Sequence, residues 1–128
     1  MTLKRFIVTY NGKRVDFDGV NGFQCTDLAR QYFQDVFGIK QPPALGANGG
    51  AKDLINNPGD MKVSKGAYAP GDVLVYDGTK SNPYGHVCIL VSLLDSDTFV
   101  VFEQNGFEQT GAKLTVRDKA NLLGGLYV

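Results

Sequence analysis

Cys25 and His86 are the side chains whose types and settings suit nucleophilic catalysis. A thiolate attacks a carbonyl carbon and carries the acyl group, while an imidazole near its ordinary pKa moves protons to and from the reacting atoms. Cys25 opens a stretch with helical spacing, so unpaired amides and the positive end of the helix dipole would stabilise its thiolate. His86 is the only histidine and heads the apolar run His86-Val87-Cys88-Ile89-Leu90. Each also fits an ordinary role when taken alone: an unpaired cysteine is often a small buried apolar residue, and a lone histidine is more often core or surface than catalyst.

Spacing relates the two to further polar groups. If Leu94 to Asp97 form a hairpin turn with Leu93 opposite Thr98, antiparallel counting sets Asn105 across from His86 and Glu103 across from Cys88. Period-two alternation then puts all four on one face. A polar acceptor beside the imidazole fixes its orientation and tautomer, and either Glu103 or Asn105 could serve. A bulge that shifts the register by one would undo this count, and the pair would then only end an exposed strand.

The positioning elements follow from periodicity. Leu28, Ala29, Tyr32, Phe33, Val36 and Phe37 recur as one buried helical stripe, which predicts a helix over 25–37 capped by Gly38. Tyr32, Phe33 and Phe37 are expected in the core. Arg5 to Tyr10 reads as a short strand before an Asn11-Gly12 turn, and Ala51 to Asn57 as a short helix stopped by Asn57-Pro58-Gly59. Asp72 to Tyr76, His86 to Leu93, Thr98 to Gln104 and Lys113 to Arg117 read as strands, with Leu126 to Val128 closing the sheet. Helices followed by strands with short connections predict an α+β fold with an antiparallel sheet.

A second cluster precedes the helix. Asp16 and Asp18 stand two residues apart beside Gly19, with Asp27 on the first helical turn. Hard oxygen ligands on a tight loop suit Ca²⁺, although no glutamate occupies the twelfth position that an EF-hand needs. The plainer reading is an Asp-rich turn with Asp27 as a favourable charge at the helix start.

Composition narrows the partners. The 128 residues fit one domain, 1–128, and carry 13 Lys and Arg against 13 Asp and Glu. That balance supplies no net field for nucleic acid or an anionic membrane. No apolar run approaches the roughly 18 residues of a membrane span, and the N-terminus lacks the pattern of a signal peptide. Both cysteines are expected reduced, with Cys88 as core or site wall. The stretch Gly46 to Gly50 lacks the Lys-Ser/Thr ending of a P-loop and reads as a surface loop. Lys62, Lys65 and Lys80 read as solvated charges, and Tyr84 and Phe107 as candidates to line a groove.

Four strings occur in one order: Asn21-Gly22-Phe23-Gln24-Cys25-Thr26-Asp27-Leu28, Pro70-Gly71-Asp72-Val73-Leu74-Val75, Gly85-His86-Val87 and Phe102-Glu103-Gln104-Asn105-Gly106. From about Asp16 to Gly106 the chain resembles CHAP domains, cysteine- and histidine-dependent amidohydrolases and peptidases of papain-like fold. The resemblance implies Cys25 as nucleophile, His86 as base and acid, Glu103 as the group orienting His86 with Asn105 assisting, and Gln24 as a donor to the oxyanion. It also implies calcium held by carboxylates of Asp16, Asp18 and Asp27 and carbonyls of Val20 and Gly22. The implied substrate is an amide bond of bacterial peptidoglycan, cut as an amidase or an endopeptidase. The implied setting is a monomeric phage lysin made in the cytoplasm and released through a holin pore or carried on the virion. A peptidase acting on ordinary protein and an inactive calcium-stabilised wall-binding module are the rival readings.

Overall fold

A computed structural model describes residues 1–19, 22–40, 42–43, 50–106 and 108–128. Val20, Phe107 and most of the Gly46 to Gly50 stretch lie outside the described residues.

The first element corrects the sequence reading: residues 3–10 form a helix, α1 (Leu3–Tyr10), where a strand was expected. Its β-branched and aromatic residues suggested extended chain, but Leu3, Phe6, Ile7 and Tyr10 share the i, i+3, i+4, i+7 stripe of an amphipathic helix. Thr2 caps it by accepting the Arg5 amide at 3.1 Å. Phe6 is fully buried and meets the rings of Tyr32 and Phe102 edge-on. Asn11-Gly12 closes this helix instead of a hairpin, with the Asn11 N–H on the Ile7 carbonyl and the Gly12 N–H on the Ala112 carbonyl.

The second helix, α2 (Cys25–Phe37), matches the predicted range. Its stripe buries Leu28, Ala29, Tyr32 and Phe33, and Gly38 ends it in the left-handed conformation (φ 67°). Phe37 is more exposed than expected, because it sits on the last turn and covers Tyr32 only from the rim. The Tyr32 hydroxyl donates to the Gly71 carbonyl at 2.7 Å, tying α2 to the turn that starts the sheet. A 3-10 turn over Ala51–Ile55 replaces the longer helix expected there.

Six strands follow: β1 (Lys62–Ser64), β2 (Val73–Tyr76), β3 (His86–Leu93), β4 (Thr98–Glu103), β5 (Lys113–Asp118) and β6 (Leu122–Tyr127). They form one antiparallel sheet in the order β1-β6-β2-β3-β4-β5. β1 is an addition to the reading; three residues with two exposed leave no visible alternation. Alternation splits the sheet into two apolar faces. Val73, Val75, Val87, Ile89, Phe102 and Leu126 pack with the helices, while Leu74, Tyr76, Cys88, Leu90, Phe99 and Val101 form a smaller cluster on the other face. The predicted α+β architecture, helices on an antiparallel sheet, is the one observed.

The β3–β4 register has two offsets that cancel. At the turn Leu93 pairs with Phe99, one residue from the expected Thr98. A bulge between Leu90 and Ser92 then shifts the ladder back, so that Ile89 pairs with Phe102 as the count required. The polar ends of the two strands therefore meet as anticipated, although the turn does not.

Candidate active site and acidic loop

His86 is the first residue of β3, and its ring is almost fully buried. Its position depends on Gly85, which has φ 79° and lies so close to the Tyr76 carbonyl and Lys52 that a Cβ there would collide with both. His86 Nε2 lies 2.9 Å from Glu103 Oε1, a diagonal contact across the β3–β4 pair. The thiol of Cys25, half-buried at the first residue of α2, is near enough to the same imidazole to influence its titration. Burial works against a charged His86 ring, but its interactions with Cys25 and with the accepting Glu103 carboxylate outweigh it and raise the pKa above the ordinary histidine value.

Glu103 is 1 % exposed and meets two cations. Besides His86, the Arg117 guanidinium reaches it through Nε to Oε1 and through a terminal nitrogen to Oε2 at 3.3 Å. Burial alone would push this carboxyl up; the bonds from His86 and Arg117 reverse that and bring its pKa to about 2. Gly106 lies against the Glu103 carboxylate, where any larger residue would overlap Oε2.

The next two residues of the string grip the segment that leads into Cys25. Gln104, fully buried, donates to the carbonyls of Val15 and Gln24 at 2.8 Å each and accepts the Val15 amide at 2.7 Å. Asn105, in the left-handed region (φ 52°), donates to the Phe23 carbonyl at 2.6 Å. Of the two candidates for the group that orients the ring, Glu103 is thus the one bonded to it, and Asn105 fastens the loop before Cys25. Gln24 stands exposed beside Cys25 and is the N-cap of α2, its backbone N–H donating to the Asp27 carboxylate at 2.9 Å.

Cys88 is buried beneath this group with its thiol pushed well up by burial, and neither cysteine is in a disulfide. Tyr84 is exposed next to His86, and Lys62, Lys65 and Lys80 are exposed as expected.

The acidic loop forms a separate cluster. One carboxylate oxygen from each of Asp16, Asp18 and Asp27 lies within 4.8 Å of the others. Asp27 is buried, and burial raises its pKa; the charges of Asp18 and Asp16 add to the rise, against hydrogen bonds from the Gln24 and Phe17 amides. Arg30 approaches Asp18 at 3.7 Å, and Asp16 accepts the Gly19 amide at 3.0 Å. Gly19 and Gly22 both have φ 70°, the conformation a tight loop needs. Three converging hard oxygens whose mutual repulsion is only partly relieved fit a divalent cation of the calcium type.

Residues 15–105 match the family described as CHAP domain, a span that includes Cys25, His86 and Glu103. The chain belongs to the CHAP family. It is 38% identical over 99 residues to the endolysin PlyTW of Staphylococcus phage Twort, an alignment covering 70% of this chain and 20% of that protein. Among solved structures, the endolysin LysIME-EF1 superposes with a TM-score of 0.74 at 23% identity, covering 95% of this chain and 60% of the other. Ly7917 superposes at 0.73 and 19%, covering 95% and 58%. This CHAP domain therefore spans about a fifth of the curated relative and about three fifths of the structural ones. Among the described residues no helix is long and apolar enough to cross a membrane.

Arg117 is the site residue that sequence reasoning missed. It lies beyond the matched CHAP span, on an edge strand whose alternation looks ordinary, and its partner is 14 residues away. Gln104 sat inside a quoted string but carried no assigned role; its hydrogen bonds to residues some 80 to 89 positions earlier have no local signature.

Proposed function

We propose that this domain hydrolyses an amide bond of bacterial peptidoglycan by a thiol mechanism. The observation that carries the reading is the linked set Cys25, His86 and Glu103: a sulfur at a helix start, an imidazole that senses it, and a buried carboxylate 2.9 Å from Nε2 of that ring. Attack by the Cys25 thiolate on the amide carbonyl gives a tetrahedral oxyanion, which the Cys25 backbone N–H and the Gln24 carboxamide would receive. His86 protonates the departing amine and then takes a proton from the water that frees the acyl group. Glu103 holds the orientation and tautomer of the ring. Gln104 and Asn105 keep the approach to Cys25 in register.

Peptidoglycan is supported as substrate by family membership and by likeness to an endolysin of a staphylococcal phage. Asp16, Asp18 and Asp27, with carbonyls of Val20 and Gly22, would hold Ca²⁺. Bound there, the ion would neutralise the acidic loop and stiffen the segment running into Cys25. A phage lysin acting on the wall as a monomer fits these properties.

The test is turbidity loss of purified Gram-positive walls with wild-type protein and Cys25→Ala, each with calcium or EDTA. Lysis by the wild type alone, weakened in EDTA, supports nucleophile and metal together. New N-terminal alanine on the released stem peptide marks an amidase, and termini within the stem or bridge mark an endopeptidase. Casein cleavage without wall lysis would replace the substrate.

A further inference from the structure

We infer that Arg117 is a positioning residue of the catalytic group, aiming the Glu103 carboxylate at His86 and serving as its counter-ion whenever the imidazole is neutral. The inference rests on the catalytic reading of Cys25, His86 and Glu103 and extends it to a residue outside the span matched by the family.

The geometry is that of a fork on a carboxylate. Two guanidinium nitrogens of Arg117 address the two oxygens of Glu103, which fixes the plane of the carboxylate as well as its place. The guanidinium also lies over the Tyr76 ring at 5.5 Å, and Tyr76 is itself anchored by donating to the Asp118 carbonyl at 2.8 Å. Arg117 is thus held from two sides, with a side chain only 13% exposed.

Its charge matters because of what catalysis asks of His86. The ring must be protonated at one step and neutral at another, while Glu103 stays buried throughout. A buried carboxylate without a partner is costly, so a Glu103 that faced His86 alone would hold the proton on the ring. With Arg117 in place, loss of that proton leaves a compensated Glu103–Arg117 pair, and the imidazole is free to cycle.

The other groups around the ring do not supply this balance. Cys25 of α2 carries no positive charge in either of its protonation states. Burial raises the Tyr76 hydroxyl of β2 and the Cys88 thiol of β3, so both remain neutral. Lys52 of the 3-10 turn packs against Gly85 through its Cβ, Asp77 follows β2 and is exposed, and Asp118 on β5 is exposed. Arg117 and His86 also line a cavity of about 270 Å³ with Tyr76, Asn82, Gly106 and Asn121. A small cation from solution therefore has a route to the position of the guanidinium.

Because His86 is the only histidine, its ring protons titrate without overlap in NMR. In Arg117→Met the His86 pKa is expected to rise by about one unit or more, as removal of a balancing charge beside a buried pair implies. Lysis is expected to fall at least about tenfold through kcat, with KM little changed. In Arg117→Ala, millimolar methylguanidinium should return both the titration and the lysis toward wild type. Should Arg117→Met not fold, Arg117→Gln keeps donors toward Glu103, drops only the charge and carries the same expectation. An unmoved His86 titration overturns the inference, as does a shift that methylguanidinium leaves untouched, which would reflect loosening of β5 alone. Absence of lysis in the wild type would strike the catalytic reading, and the NMR result would still decide the role of Arg117.

Discussion

Asp27 and Glu103 are both buried carboxylates, and their pKa values move in opposite directions. Glu103 is held by His86 and by the Arg117 guanidinium of its own chain, and its pKa falls to about 2. Asp27 receives two backbone amides but faces two further carboxylates, and its pKa rises. Burial acts alike on both, so the neighbours decide the sign. One site pairs its carboxylate with a fork of guanidinium nitrogens. The other gathers three carboxylates, with the Arg30 guanidinium 3.7 Å from Asp18.

Removing the carboxylate from the paired site should have the largest effect. Glu103→Gln keeps volume but leaves Arg117 with a neutral partner and His86 without an oriented acceptor. Wall lysis is expected to drop by about 10²–10⁴-fold, the range seen when the orienting carboxylate of a triad is neutralised. Urea denaturation should show a loss of about 3–5 kcal/mol, because a buried cation loses its partner. A variant with near-normal lysis would mean that Glu103 is structural only.

At the acidic loop, calcium should stabilise the wild type, by about 2.7 kcal/mol at a hundredfold excess over its dissociation constant. Asp27→Asn keeps an acceptor for the Gln24 amide and removes one charge from the cluster. In EDTA it should be neutral or up to about 1 kcal/mol more stable, while most of the calcium-dependent gain disappears. Thermal unfolding with and without calcium reads both. Equal calcium shifts in the two proteins would remove Asp27 from the ligand set.

Acid should separate the two sites as well. The folded pKa of Glu103 is depressed, so its contribution is present above the ordinary value of 4.5 and is lost as pH falls toward about 2. Asp27 has a raised folded pKa, so in the absence of metal its ionisation opposes folding, and that penalty is relieved as protons bind. Protons and calcium compete for the same oxygens. As pH falls toward the raised pKa of Asp27, any calcium-dependent shift in Tm should therefore shrink, while above 4.5 the metal-free stability conferred by Glu103 holds.

What the sequence made legible follows the same division between local and distant causes. The α2 stripe and its Gly38 cap are local patterns, and they read correctly. So did the strands with clear turns between them. The residues Leu3 to Tyr10 misled because β-branched and aromatic side chains also suit a helix that buries one face, and Phe6 docking on Tyr32 and Phe102 decides between them. The pairing of the β3 and β4 ends came out as counted only because the turn offset and the bulge near Val91 cancel. Contacts such as Arg117 with Glu103 and Gln104 with Val15 depend on how strands curve and loops return, for which single-sequence periodicity has no signal.

The smallest predicted effect concerns Arg30, where the acidic loop borrows from the logic of Glu103. Its guanidinium stands 3.7 Å from Asp18 and lies over the Phe17 ring at 5.5 Å, but both side chains of the ion pair are partly open to solvent. Such a pair is worth at most about 1 kcal/mol. Arg30→Gln should therefore cost little in EDTA. It should also tighten calcium binding by roughly two- to fivefold, because a competing positive charge leaves the edge of the cluster. Titration of calcium by the shift in Tm measures this directly. Weaker calcium binding in Arg30→Gln would show instead that Arg30 holds Asp18 in place for the ion. The acidic loop would then be organised as Glu103 is, by a fixed arginine that sets the geometry of a carboxylate another charge must use.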